Sequence, residues 1–147
     1  MLSSRIRAGV RAGLIAAAAT AGALIGFGIR HGDWIGPFSA LGYQVLESFG
    51  APAPPRLLAT ITGLLAHASW MMVWGIAFAT LAHRKTGVTI VASAVLVGLL
   101  ATLAAGYVLP AALGAVKFAA MPGVQAALCV VLMTAGLVMG RSLSRAE

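Results

Sequence analysis

The sequence predicts an all-α integral membrane protein: a four-helix transmembrane bundle with an outer interfacial amphipathic helix between the first and second spans. Of its 147 residues, 61% are hydrophobic and 9% are charged. The apolar residues form four runs, at about 12–29, 57–82, 88–109 and 123–140. A helix rises about 1.5 Å per residue, so each run is long enough to cross a hydrocarbon core of about 30 Å. We expect residues 1–147 to form a single membrane domain.

The first run could be mistaken for a signal peptide, because Arg5, Arg7 and Arg11 precede it and small residues surround Ala19. The apolar stretch continues to Ile29, however, which makes it longer than the hydrophobic region of a typical signal peptide. We therefore expect it to be a retained first span.

The connection between the first two spans has an apolar pattern of its own. Large apolar residues recur every three or four positions over about 34–49, whereas Ser39 and Gln44 lie largely off this face, and Gly50 ends the segment. The segment is too short to cross a bilayer, so we expect it to lie in the outer interface or to fold over the bundle. The expected interfacial anchors are Trp34, Phe38, Leu41, Val45 and Phe49.

Residues 111–120 are predicted to form a second, shorter interfacial segment before the fourth span.

The Lys and Arg residues that flank the spans indicate the orientation, because cytoplasmic loops carry an excess of them. One side carries Arg5, Arg7, Arg11, Arg84, Lys85, Arg141 and Arg145, and the other carries Arg30, Arg56 and Lys117. We expect both termini to be cytoplasmic, in a bacterial inner membrane. The formal net charge of +7 then reflects topology and not nucleic-acid binding.

Each span contains small residues at four-residue spacing, which form a ridge along one helix face. Such ridges let helices approach closely in lipid. We expect the helix-packing residues to be Gly22, Gly26, Gly63, Gly75, Gly98, Gly106, Gly136 and Gly140. A bundle built on these ridges should pack shut. Ridges that are left over could contact another membrane subunit or a second copy of the chain.

His67 is the main candidate for chemistry, because an ionisable residue near the middle of a span indicates a function. Gly63 and Met71 lie on the same helical row, and Gly63 is expected to leave open space beside the imidazole. Such a site would suit haem or a chlorophyll-type pigment, with His67, Gly63 and Met71 as the cofactor-binding residues. Gly63-x-x-x-His67 also resembles the ligand pattern of light-harvesting helices, over five residues.

Hydrogen bonding is the alternative role for His67. A neutral imidazole would then bond across the bundle to a hydroxyl group or to a backbone carbonyl. The candidate hydroxyl partners of His67 are those of Thr20, Thr102 and Thr134.

The remaining polar residues do not predict catalysis. His31 and Asp33 could begin a metal site, but two ligands fall short of the usual set, so we expect no metal. No serine or cysteine lies in a recognisable nucleophile motif, so we expect no catalytic residue and no enzyme. The four runs contain no Asp, Glu, Lys or Arg, which disfavours ion-coupled transport.

The sequence thus predicts a small non-catalytic membrane protein, a structural or accessory subunit that associates with other membrane subunits or with itself. No cofactor and no nucleic-acid partner are expected in that case, only the lipid bilayer and the neighbouring subunits. Two other functions stay open: a tetrapyrrole-binding protein that uses His67, and a small-solute channel or transporter.

Overall fold

The computed structural model describes residues 2–51, 53–108 and 123–143. Five α-helices and one π-helical turn account for most of these residues. They are α1 (Leu2–Arg30), α2 (Gly36–Ser48), α3 (Arg56–Leu81), α4 (Val88–Leu103), which continues into the π-helical turn Ala104–Val108, and α5 (Gly123–Leu143). Four segments are long and apolar enough to cross a membrane: Ser4–Arg30, Arg56–Leu81, Val88–Val108 and Ala126–Leu143. The prediction of an all-α transmembrane bundle is confirmed, and the protein is an integral membrane protein.

The bounds of the spans agree with the apolar runs except at the start of α1. This helix begins at Leu2 instead of near residue 12, because arginine and alanine are good helix formers and do not interrupt it. The extension adds Gly9 to the helix, and Gly9 lies against α3. The predicted interfacial segment at 111–120 lies outside the described residues.

The α2 helix is bounded by residues that the sequence marks clearly. Pro37 occupies its first turn, where a missing backbone N–H costs nothing. At its other end Gly50 has a φ angle of +79°. The backbone N–H of Gly50 donates to the Glu47 carbonyl and that of Ala51 donates to the Leu46 carbonyl, which is a Schellman motif. The prediction that Gly50 ends this helix is confirmed.

The spanning helices do not surround a common axis evenly. The α1 helix lies between α3 and α5, α4 packs on α5, and α3 and α4 have little contact with each other. The buried core lies toward the end of the bundle where α1 begins and α3 and α5 end, which we call the basic end because Arg5, Arg84 and Arg141 lie there. Its buried apolar residues are Ala12, Ala16, Ala17, Met71, Phe78, Ala82, Ala94, Val97, Ala101, Met133 and Leu137.

Glycines bring α1 into backbone contact with its two neighbours. A Cβ atom on Gly75 of α3 would lie 2.6 Å from the Cα atom of Gly13 and would also meet the carbonyl of Gly9. On the other side of α1, a Cβ atom on Gly136 would lie 2.6 Å from the Cα atom of Ala16. Close backbone approach of this kind favours helix association in lipid.

Three of the glycines expected at helix contacts lie elsewhere. A Cβ atom on Gly22, Gly26 or Gly106 would have no atom within 4 Å, and all three residues are exposed in the described part of the chain. A Cβ atom on Gly98 would make ordinary van der Waals contact, at 3.4 Å from Val130. The ridge on α1 therefore points away from α3 and α5, because the opposite face of α1 carries the small residues that meet them.

The α2 helix folds over α3 instead of resting only at the interface. Gly42 lies against the backbone of Ala59, and Gly63 lies against the backbone of Phe38, so the two helices contact each other in antiparallel order. Phe38 is 2% exposed and thus is not a surface anchor, in contrast to the sequence prediction, whereas Trp34 is 60% exposed.

The face of α2 that meets α3 also differs from the predicted apolar stripe. Ser39, expected off the packed face, is 5% exposed, and its hydroxyl group donates to the Gly36 carbonyl at 3.1 Å. Small residues such as Ser39 and Gly42 allow the two backbones to approach, which the bulky stripe would prevent. The predicted anchors Leu41 and Val45 instead line a cavity, and Phe49 is exposed.

At the basic end, Arg141 of α5 stabilises the turn between α3 and α4. Its guanidinium group donates to the carbonyl of Ala82 and, at 3.0 Å, to that of Lys85. The Lys85 ammonium group donates in turn to the hydroxyl group of Ser93 at 3.0 Å. Carbonyls at a helix C-terminus lack intrahelical partners, so these bonds satisfy groups that would otherwise be unpaired.

Candidate functional site

A cavity of about 730 Å³ lies between the helices in the half of the bundle away from the basic end. Its wall is mostly apolar, with Leu24 and Phe27 from α1, Leu41 from α2, Trp70 from α3 and Met133 from α5. The expectation that the bundle packs shut is therefore wrong for this half. The physical reason is that α2 covers α3 while α4 follows α5, so the limited contact between α3 and α4 leaves a space.

The cavity ends blind at the core of the bundle. Met71, Ala101 and Met133 belong both to the cavity wall and to the buried core. Beyond them, Phe78 and Leu137 are fully buried. These close-packed side chains separate the cavity from the basic end, so the described residues form a cup and not a continuous passage.

His67 lies in the cavity wall and is 9% exposed. Its Nε2 atom is 3.0 Å from the hydroxyl oxygen of Thr20 and 3.4 Å from the carbonyl oxygen of Ala17, both on α1. The predicted hydrogen bond across the bundle is thus confirmed, with Thr20 as the partner among the three candidate threonines. The edge of the Phe38 ring faces the imidazole, with 5.9 Å between ring centroids.

The surroundings of Nε2 favour one tautomer of the neutral imidazole. The Ala17 carbonyl can only accept a hydrogen bond, and the Thr20 hydroxyl group lies 2.8 Å from the Ala16 carbonyl oxygen and 3.2 Å from that of Ala17, to which it can donate. Both oxygens near Nε2 then accept, which is the arrangement that suits an N–H on Nε2. The other ring nitrogen, Nδ1, then has a lone pair and is the one left for the cavity.

Further polar side chains lie in the wall, among them Ser69, Thr102 and Gln44. Thr102 donates its hydroxyl hydrogen to the Gly98 carbonyl at 2.9 Å and so has its donor satisfied within α4. Gln44 is different, because its Oε1 atom is buried and accepts no hydrogen bond within the described part of the chain. The sequence pattern places Gln44 largely off the apolar face of α2. Helical spacing alone does not predict that Gln44 lies in the wall of this cavity.

The mouth of the cavity is charged. Asp33 and His31 line it, and the Asp33 carboxylate is bonded to the Arg56 guanidinium group at 2.5 Å. The His31 ring packs against the ring of Phe27, with centroids 4.4 Å apart. No group of three or more metal-ligating side chains occurs among the described residues, and Asp33 is engaged by an arginine.

The three predicted cofactor-binding residues share the buried face of α3 but do not surround one space. His67 and Met71 line the cavity, whereas Gly63 does not. A Cβ atom on Gly63 would lie 2.8 Å from the carbonyl carbon of Phe38. The expectation of open space at Gly63 is wrong, because the backbone of α2 at Phe38 and Gly42 occupies it.

A smaller cavity of about 200 Å³ lies at the basic end, between Arg5, His83 and Arg141. Partial desolvation lowers the pKa of His83 below its usual value, and the positive charges of Arg5, Arg84 and Arg141 lower it further. An imidazolium at this position is disfavoured by its neighbours, so His83 is neutral at a lower pH than an isolated histidine.

No protein family, curated protein or solved structure matches this chain.

Proposed function

We propose that this membrane protein binds one apolar small molecule in the cavity between its helices. The observation that carries the proposal is the cavity itself. Its volume of about 730 Å³ lies within the roughly 300–1,000 Å³ that is typical of small-molecule sites. Such sites are mostly apolar and contain a few placed polar groups, here His67 and Gln44.

The blind end of the cavity supports binding over conduction. A channel needs a continuous polar path, whereas Met71, Ala101 and Met133 form an apolar floor. Three small residues of α4 and its π-helical turn, Ala101, Ala105 and Gly106, add to the wall. π-helical turns occur frequently at functional sites, which agrees with a ligand at this place.

Haem or a chlorophyll-type pigment remains one class of ligand for this cavity. His67 is the residue that would hold its metal, which supplies redox or light-absorbing chemistry when bound. The bond between Nε2 and Thr20 leaves only Nδ1 for coordination, and Phe38 fills the space at Gly63. The described residues therefore suit a smaller or more flexible apolar molecule better.

The substitution Ala40→Phe tests the proposal, because Ala40 lines the cavity and its side chain is exposed. We expect the purified chain to carry an apolar molecule that native mass spectrometry detects and solvent extraction identifies. A phenyl group in the cavity should reduce its occupancy by about tenfold or more, since it occupies the same volume. A Soret or chlorophyll absorption band in the purified protein would identify the ligand as a tetrapyrrole.

Ala127→Phe is the matched control, since Ala127 is exposed on α5 and does not line the cavity. It should leave the occupancy unchanged. The proposal is wrong if no apolar molecule accompanies the wild-type protein and none can be loaded, or if Ala40→Phe retains the ligand as well as Ala127→Phe does.

Lateral association is a second candidate function, as the accessory-subunit prediction requires. Its specific support is the exposed ridge of Ala18, Gly22 and Gly26 on α1, which no described residue covers at Gly22 or Gly26. Small residues at this spacing allow close approach of a second helix in lipid.

Gly22→Leu tests this association. We expect a leucine there to prevent close approach and to shift the protein from an oligomer or a complex to a monomer in mild detergent, as measured by light scattering. Val91→Leu is the control, because Val91 is exposed on another helix. A monomeric wild-type protein without companions would contradict the association.

A further inference from the structure

We infer that the molecule in this cavity carries a hydrogen-bond donor, a hydroxyl group, which it directs at the Nδ1 atom of His67. The inference rests on the proposed function, since it specifies the chemistry of the ligand in the same site.

The first step is the state of the imidazole. The Ala17 carbonyl and the Thr20 hydroxyl oxygen lie 3.4 Å and 3.0 Å from Nε2, and both act as acceptors toward it. The Thr20 hydroxyl group has two carbonyl acceptors on its own helix, Ala16 and Ala17. This arrangement favours the proton on Nε2 and leaves a lone pair on Nδ1.

The second step is that no protein group donates to Nδ1. Both hydrogen bonds of His67 within the described residues are made by Nε2, toward α1, and His67 lines the cavity. Buried polar atoms are almost always hydrogen-bonded in folded proteins. A ligand that brings a hydroxyl hydrogen satisfies Nδ1, whereas one that brings only oxygen lone pairs leaves it unpaired.

The third step is that the donors of the wall, which include the Ser69 hydroxyl group and the Trp70 indole N–H, are not bonded to His67. The hydroxyl hydrogens of Thr20 and Thr102 are used within their own helices. The rest of the wall is largely apolar, so the polar part of the ligand must be small. An apolar alcohol, with one hydroxyl group at the end or edge of a hydrocarbon body, matches this arrangement.

The experiment compares farnesol with its methyl ether on the purified full-length chain, using tritiated farnesol in a scintillation-proximity assay and unlabelled competitors. The two probes share one hydrocarbon body and differ in a single donor. We expect farnesol to bind about tenfold more tightly, because the ether leaves Nδ1 unpaired. In the His67→Leu variant the ratio of the two affinities should fall to about one, while Thr20 keeps its bond to Ala16.

Two controls separate the role of Nδ1 from general effects. Ser69→Ala removes another hydroxyl group from the cavity wall and should keep the preference for farnesol. Nitrogen NMR of the His67 ring should show the proton on Nε2 in the wild-type protein. The Thr20→Val variant removes the hydroxyl partner of Nε2, and a histidine with only a structural role need not keep its proton on that nitrogen in this variant.

Equal affinity for farnesol and its ether overturns the inference and leaves the proposed function intact, since water would then serve as the donor. A proton on Nδ1, or a preference that survives His67→Leu, also overturns it. If neither probe binds, the chemistry of the molecule that accompanies the purified protein tests the inference. A molecule without an O–H or N–H group contradicts it. The absence of any bound apolar molecule contradicts the proposed function itself.

Discussion

Replacing Gly75 by valine is expected to prevent the native packing of the whole bundle and to lower the free energy of unfolding by more than about 3 kcal/mol. A Cβ atom on Gly75 would lie 2.6 Å from the Cα atom of Gly13. The obstacle is backbone and not the end of a flexible side chain, so α1 and α3 would have to separate. Their separation would open the core around Met71 and Phe78, which are buried beside this crossing.

Thermal unfolding in detergent, followed by circular dichroism and by size-exclusion chromatography, measures this effect. Ala127→Val is the control, since Ala127 is helical, exposed on α5 and absent from the cavity wall and from the ridge on α1. The control should change the stability by less than about 0.5 kcal/mol. Equal stability of the Gly75→Val and Ala127→Val proteins would contradict the backbone contact between α1 and α3.

Replacing Gly42 by valine is expected to have a large but local effect: it should displace α2 and leave the four spans assembled. A Cβ atom on Gly42 would lie 2.5 Å from the carbonyl carbon of Ala59. The α2 helix has its main contacts with α3 and few with α1, so its displacement does not disturb the other crossings. Because Leu41 and Val45 line the cavity, the bound molecule should be lost as well.

A cysteine at Ser39 reports this displacement, because Ser39 is 5% exposed in the native structure. In a Cys129→Ala background, the rate of its reaction with a maleimide should rise by about tenfold or more in the Gly42→Val variant. A cysteine at the exposed Ser48 should react equally fast with and without the valine. An unchanged rate at position 39 would show that α2 does not pack on α3 through Gly42.

The elements of the fold were predictable because hydrophobic length is a strong signal. The four spans and the short α2 helix follow from apolar runs and from Gly50, and the buried row through His67 follows from four-residue spacing. The start of α1 differs from the prediction because the apolar run has its limit at Arg11. That limit excluded Gly9, which lies at the contact with α3.

The contacts between elements were not predictable in the same way. The α1 helix has small residues on two faces, Gly9 and Gly13 on one and Gly22 and Gly26 on the other, and spacing alone does not say which face meets a neighbour. The cavity depends on how far α3 lies from α4, which no residue pattern encodes. His67 could be identified because an ionisable residue inside a span is energetically costly. Its partner Thr20 could not be identified, because that contact depends on the register of α1 against α3.

The position of α1 between α3 and α5 has a consequence for biogenesis. The α1 helix acquires one of its two neighbours only when α5 has been inserted, since Ala16 meets Gly136 of that later helix. During synthesis this face of α1 must be covered by lipid or by the insertion machinery. Completion of the bundle therefore waits for the synthesis of α5, and a nascent chain arrested before α5 leaves this face of α1 uncovered by protein.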